Sequence, residues 1–377
     1  MPARTDATFR NRTDPDHHKI DTPLEKLPID MIKSIPVSDS LHLLDLGIIK
    51  RLLTGYVYGT LGLKTKWPAN VTKMVSDFLL RCRMPSEIHR AVRGLDCLKF
   101  WKGTEYRTFG FYLGPVILKD YLSEEIYQHF MLFFCGIVIC YSRSYSNYLH
   151  VADKLLKTFI ERYIEIYGIN SISSNVHNLC HLVDEVKDFG DLSTFNTYPF
   201  ENCLQKIKKL LRMGNKPLSQ VARRIFEINN LKQAENYNNK KFPILKNKNS
   251  GNDCDQSIYK HFFYKVELMD GLTLTNEDRN KWFLTKRNEI IGMKNATIFE
   301  NKTYIFGSCL KEVGNFFETP IASSYLNIFS ANRKEYLPKW YNIKDIKCKL
   351  VAVEHHKNVI FFPLIHTIDL CSKSNLM

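Results

Sequence analysis

None of the ten cysteines forms a CxxC pair. The nearest two, Cys135 and Cys140, lie inside an apolar run, so a zinc ribbon or a dithiol redox site has no support. Cysteines scattered through 377 residues are not the framework of a small disulfide scaffold either. They read as reduced, mostly buried thiols of an intracellular protein. No Walker loop, GxSxG, HExxH or GxGxxG occurs, which leaves an NTPase, a serine hydrolase, a zincin and a Rossmann oxidoreductase without a sequence basis. Met1 to Arg12 is polar, and the longest apolar run, Phe130 to Tyr141, has twelve residues. A membrane-spanning helix needs about 20, so this run reads as a buried core helix and no membrane partner is expected. The N-x-T sequons at Asn11, Asn70, Asn295 and Asn301 read as chance matches in a chain without an export signal.

What is present is enough apolar and aromatic material for a sizeable core, 44% and 12% of residues, and an excess of positive charge. Net charge is +14, and from Asn202 to Asn249 twelve Lys/Arg face two Asp/Glu. That stretch supplies most of the excess. A basic folded chain suits a polyanionic partner, nucleic acid first and an anionic membrane second. The plainer alternative is a Lys- and Asn-rich surface that is merely well solvated.

Met1 to Pro36 is polar, carries Pro15, Pro23, Pro28 and Pro36, and reads as extended connections. A helix capped by Ser38 or Asp39 follows, with Leu41, Leu44, Ile48 and Leu52 on one face. Val71–Cys82, Glu105–Lys119, Glu124–Tyr141 and Tyr148–Tyr167 read as helices, and a further one runs from Asn175 to Gly190. Helices then extend to about Arg212 and, after Asn215-Lys-Pro217, to about Gln233. The Asn- and Lys-rich stretch Asn236 to Asp255 reads as a linker. Beyond it, Lys281–Leu284, Glu289–Ile291, Ala296–Phe299, Thr303–Phe306, Lys347–Val353 and Val359–Leu364 are short β-branched and aromatic runs. They mark a small antiparallel β domain. The fold class is therefore α+β and mainly helical.

Four groups of residues carry possible chemistry. In Asp39-Ser-Leu-His42 the Asp caps a helix and the His falls in its first turn; the pair either positions a loop for metal or DNA or simply caps. His177 and His181 are four apart, with Asp184 one turn on, and could share a metal; the alternative is a pair of packed histidines. Glu201, just after Pro199 and Phe200, sits in a helix first turn, where the helix N-terminus keeps a carboxylate ionised as a Mg²⁺ ligand must be. An ordinary first-turn Glu is the alternative. Lys206, Lys208, Lys209, Arg212, Lys216, Arg223 and Arg224 form a cationic helix face suited to phosphate contacts, or to solvation alone.

Several of these segments, taken in order, resemble the animal CACTA-type (En/Spm-like) DNA transposases. They are Arg4-Thr-Asp, Asp16-His-His18, Pro28-Ile-Asp-Met31, Asp39-Ser-Leu-His-Leu-Leu-Asp-Leu-Gly-Ile-Ile-Lys-Arg-Leu-Leu53, Trp101-Lys-Gly-Thr-Glu-Tyr-Arg107, Leu113-Gly-Pro-Val116, Asn175-Val-His-Asn-Leu-Cys-His-Leu182, Tyr198-Pro-Phe-Glu201, and Asn215-Lys-Pro-Leu218 with Val221-Ala-Arg-Arg224. The resemblance covers residues 4–224. It implies a retroviral-integrase-like (RNase H-like) core with a helical insertion and a β-rich tail. The expected division is 1–60 core remnant, 61–170 helical insertion, 171–235 end of the core with basic helices, 236–255 linker and 256–370 β domain.

The family's chemistry uses three carboxylates and two Mg²⁺ ions. By resemblance Asp39 and His42 match its D-x-x-H element, Glu201 is the third carboxylate and Glu105 the fallback. The family's first two aspartates belong ahead of residue 1, and Asp6, Asp14, Asp16 and Asp30 stand in the wrong context to replace them. The expectation is a truncated or domesticated, DNA-binding, nuclear protein that lacks strand transfer on its own and pairs with itself or with a full-length transposase. The alternatives are an active Mg²⁺-dependent transposase whose front part lies outside this sequence, and a protein-interaction module.

Overall fold

The structure, a computed structural model, describes residues 4–234, 241–249 and 261–368. It is α+β, with a helical region followed by an antiparallel sheet. Asp39 caps the first long helix, α1, accepting from the backbone N–H of Leu41 and His42. Its first ten residues, Ser40–Ile49, are wound as a π-helix, and Lys50–Tyr58 continue it as α-helix to Gly59, which takes φ +78°. A π stretch this long is rare, since most are single bulges at functional sites. Gly47 allows it here: a Cβ would lie 2.6 Å from both the Asn175 amide nitrogen and the His42 carbonyl oxygen.

Asp6–Arg10 forms a short helix, capped by Thr5, within the segment expected to be extended, and the longer helices follow the expected segments closely. They are α2 (Ala69–Arg81), α3 (Gly103–Thr108, a π turn Phe109–Leu113, then Gly114–Tyr121), α4 (Glu124–Cys140) and α5 (Leu149–Tyr167). From Phe130 to Cys140 every residue of α4 is buried, as the centre of a core requires, which accounts for the twelve-residue apolar run. The expected helix from Asn175 to Gly190 is broken into α6 (Ser174–Asn178) and α7 (Leu182–Phe189). Its apolar residues are still buried, because Val176, Leu179, Leu182, Val183 and Val186 keep facing the core across the break. Glu185 of α7 accepts from the N–H groups of Val37 and Ser38 and so fixes the chain where α1 starts. A basic pair, α8 (Tyr198–Leu210) and α9 (Pro217–Ala234), completes the helical region. Among the described residues no helix is long and apolar enough to cross a membrane.

Among the described residues ten strands form the sheet: β1 (Ile244–Asn249), β2 (Phe262–Met269), β3 (Leu272–Thr275), β4 (Trp282–Thr285), β5 (Ile290–Phe299), β6 (Lys302–Cys309), β7 (Phe329–Ala331), β8 (Lys339–Asn342), β9 (Ile346–His355) and β10 (Asn358–Pro363). Their order is β1-β2-β5-β4-β9-β10-β7, with β3 on β2, β6 on β5 and β8 on β6. All pairings are antiparallel. The runs expected at Glu289–Ile291 and Ala296–Phe299 are one strand, β5, whose register shifts between Met293 and Asn295. β1 falls inside the stretch expected as a linker; most of the rest of 236–255 lies outside the described residues.

Helices and sheet share one apolar core. Phe362 of β10 meets Phe134 of α4 and Tyr112 of α3 edge-on, at ring separations of 6.5 and 6.2 Å. Beside it lies a buried ion pair. Lys349 of β9 is fully buried, and its Nζ donates to Glu87 (2.8 and 3.0 Å), to the Thr273 carbonyl (2.6 Å) and to Asn280 Oδ1 (2.9 Å). Glu87, in the segment between α2 and α3, also accepts from the Thr273 N–H at 2.9 Å. Removing one partner of such a pair strands an uncompensated buried charge, at roughly 3–5 kcal/mol. Glu87→Ala should therefore lower the unfolding free energy in urea by about that much, whereas Glu87→Leu combined with Lys349→Met should recover most of the loss. Equal losses for the single and double variants would show that the pair is not what joins the two regions.

Candidate functional site

The N-termini of α1 and α8 meet at Asp39. One oxygen of its carboxylate accepts from the backbone N–H of Leu41 (3.2 Å) and Thr197 (2.8 Å). The other accepts from the His42 N–H (2.8 Å), the Thr197 hydroxyl (2.7 Å) and His42 Nδ1 (2.6 Å). Thr197 is the residue that precedes α8, so one carboxylate caps one helix and grips the start of another 158 positions on. Burial opposes the charge on Asp39, but the hydrogen bonds from Thr197 and His42 outweigh it and hold the carboxyl below its ordinary value. The positive ends of two helix dipoles favour the same charge.

With Nδ1 turned to Asp39, His42 presents Nε2 at 4.0 Å from Glu201 Oε1 in the first turn of α8. Both side chains are about half exposed, at 55% and 53%. The three residues singled out in sequence as the D-x-x-H element and the third carboxylate are thus brought together. A carboxylate orienting a histidine whose other nitrogen faces outward is a common support for proton transfer or metal ligation.

A second cluster adjoins the first, and sequence reasoning did not single it out. Asp45, further along α1 than Asp39, is fully buried and accepts from the Tyr198 hydroxyl at 2.7 Å. Its Oδ1 has no hydrogen-bond partner among the described residues. The Arg107 guanidinium lies 4.8 Å from the Tyr141 ring centroid and 5.6 Å from that of Tyr198. Burial pushes the Asp45 carboxyl up to about 7, against the opposing pull of Arg107 and Tyr198. The available signal was an acid at position 45 between Leu44 and Leu46 on an apolar helix, which must find a partner to be buried at all.

The other candidates are placed differently. Glu105 is fully buried; its oxygens accept from Arg93 at 2.7 and 2.8 Å and from the Lys102 N–H at 2.9 Å, a capping and ion-pair role that leaves no free ligand position. His177 lies in the last turn of α6 and His181 immediately precedes α7, so they do not share a continuous helix. Their rings stand edge-on at 5.5 Å, and Cys180 completes a group whose donor atoms lie within 4.8 Å of one another. Asp184 is not in that group and pairs with Lys187 at 2.8 Å.

Lys206, Lys208, Lys209, Arg212 and Lys216 on α8 and the following turn are exposed, with no ion-pair partner among the described residues. Arg223 and Arg224 of α9 face Glu227 at 3.2 and 3.9 Å. Gln220 staples the turn, accepting from the Arg212 N–H at 3.1 Å and donating to the Met213 carbonyl at 2.9 Å. α8 buries no residue. Phe200, Leu204, Met213, Leu218 and Phe226 are all more than half exposed.

The two-Mg²⁺ centre that the transposase resemblance implies needs more donors than these residues offer. Hydrogen bonds occupy both Asp39 oxygens and Arg93 occupies Glu105, which leaves Glu201 as the available carboxylate. One carboxylate and one imidazole do not fit a pair of hard cations that need several oxygen ligands each.

Residues 238–364 match a family described as a domain of unknown function (DUF8592). The match takes in strands β1 to β10 and leaves the helical region outside it. No curated protein and no solved structure matches the chain.

Asp45 yields a test of the buried cluster. A carboxyl raised from 3.8 to about 7 on folding binds a proton in the folded chain that the unfolded chain has released. Its contribution to stability is therefore full below pH 3.8 and is lost as pH rises to about 7. Asp45→Asn carries no such proton, so its Tm relative to the parent should rise progressively across that window. Parallel Tm curves from pH 4 to pH 8 would mean that Asp45 is not held neutral.

Proposed function

We propose that this chain corresponds to the middle and C-terminal part of a CACTA-type transposase and acts as a nuclear DNA-binding protein. In this reading the helical region belongs to an RNase H-like core with its helical insertion, and strand transfer does not arise from these residues alone. The observation that carries it is the convergence of Asp39, His42 and Glu201 at the base of a helical pair that bears five cations without an ion-pair partner among the described residues. The cationic face of α8 contributes nothing to the core, since α8 buries no residue. Phosphate contacts need positive charge, and beyond Glu201 in its first turn α8 carries no acid to compete for its lysines. The chain would pair with a copy of itself or with a full-length transposase, and of the two only the latter would supply the further carboxylates for Mg²⁺ chemistry.

A second reading, a protein-interaction module, is favoured by one feature of the same helices. Phe200, Leu204, Met213, Leu218 and Phe226 expose apolar surface that phosphate binding does not use.

Retention of the purified chain on duplex DNA over a salt series, with and without Mg²⁺, separates these readings. DNA binding predicts salt-sensitive affinity largely independent of sequence. Neutralising Lys208, Lys209, Arg212 and Arg224 together should reduce the slope of log affinity against log salt by roughly 0.9 for each phosphate that is no longer neutralised. An unchanged slope would exclude these helices as the DNA-binding surface, and no retention at physiological salt would leave the interaction module. Mg²⁺-dependent nicking that Glu201→Gln abolishes would instead identify an active enzyme.

A further inference from the structure

Far from the Asp39 cluster, three ligand-type side chains meet at the seam between the helical region and the sheet. Asp120 comes from the last turn of α3 and His355 from the end of β9; His356 is the first residue of the two-residue turn into β10. His355 Nε2 lies 3.1 Å from Asp120 Oδ2, and His356 Nε2 lies 3.5 Å from the same oxygen. Donor atoms from all three lie within 4.8 Å of one another. Ligands bound to a tetrahedral ion at about 2.0–2.1 Å are spaced roughly 3.3–3.5 Å apart, so small side-chain movements suffice to close the set around one ion. All three residues line a cavity of about 740 Å³, which gives an ion and a water a path to them.

Two features are poorly explained by packing alone. A carboxylate in the last turn of a helix opposes the helix dipole, where a cation is favoured; Asp120 is so placed. His356 has φ +52°, a position in a tight hairpin turn that Gly or Asn fills more easily. The histidine therefore keeps a conformation that costs backbone energy while its ring stays beside Asp120.

We infer that Asp120, His355 and His356 form a binding site for a zinc-class divalent cation, with the fourth ligand position left to water from the cavity. Two imidazoles and one carboxylate are a borderline donor set of the kind zinc takes, distinct from the all-oxygen sets of Mg²⁺ or Ca²⁺. Such an ion would tie the end of α3 to the β9–β10 turn. Its binding free energy would add to the stability of the folded chain, because the three ligands are assembled only there.

The test uses the full chain, freed of metal with a chelator, and Zn²⁺ alone as the probe. His356→Gly removes one ligand and relaxes the turn, so this variant should fold at least as well as the parent without metal. Added Zn²⁺ should raise the parent's Tm and bind measurably by calorimetry. In His356→Gly and Asp120→Asn the affinity should weaken by about tenfold or more, and the Tm rise should shrink accordingly. Cys180→Ser, in the other ligand group, should behave like the parent. A Zn²⁺ response that is absent from the parent, that survives unchanged in both His356→Gly and Asp120→Asn, or that disappears in Cys180→Ser would overturn the assignment.

Discussion

The buried ammonium of Lys349 decides how the two halves of this molecule relate. A charge at full burial must be met on every side, and its acceptors come from three separate stretches: Glu87 between α2 and α3, the Thr273 carbonyl on β3, and Asn280 ahead of β4. Burial pulls the Lys349 pKa down while Glu87 pulls it up, with burial prevailing. The same Asn280 oxygen also receives the Ser86 N–H at 2.9 Å. Apolar packing between α4 and β10 tolerates some sliding, but a multiply bonded ion does not. It therefore fixes the register of sheet on helices, and the Asp120–His355–His356 cluster at the same seam depends on that register.

Asp39 plays a comparable part at the other end of the helical region. Its five hydrogen bonds hold two helix starts at one point, and Glu185 pins the chain just before it. Glu201 reaches His42 only because α8 leaves from Thr197. The position of the outermost acid is thus set by a cap residue far away in sequence, with Asp45 and Tyr198 bonded beneath as a buried brace.

Much of this was legible in the chain itself. Apolar residues at three- and four-residue steps marked α1, mixed aromatic and aliphatic faces without strict alternation located α2 to α5 within a few residues, and Asp39 was readable as a cap from its place before Leu41. The break between α6 and α7 was not readable, because Val176, Leu179 and Val183 preserve a helical period across it. β5 looked like two strands because Lys294 and Asn295 interrupt its apolar residues where the register shifts. β1 lay hidden in a Lys- and Asn-rich stretch, since an edge strand needs little apolar content. Within the site, Asp39, His42 and Glu201 could be nominated by residue type and position, but Thr197 and Arg107 could not. Their roles exist only through partners far away along the chain, which no local pattern records.

The basic pair α8–α9 has a consequence of its own. Two helices of 13 and 18 residues with almost no core to lean on are near the limit at which a helix persists in water. Their amides should exchange with solvent through openings that leave α1 to α5 closed, so the molecule has at least two separate levels of cooperativity. Any surface that captures this pair must also supply the free energy to keep it wound. The affinity measured for a partner would then include the helicity of α8 and α9, and conditions that favour helix would strengthen binding with the interface itself unchanged.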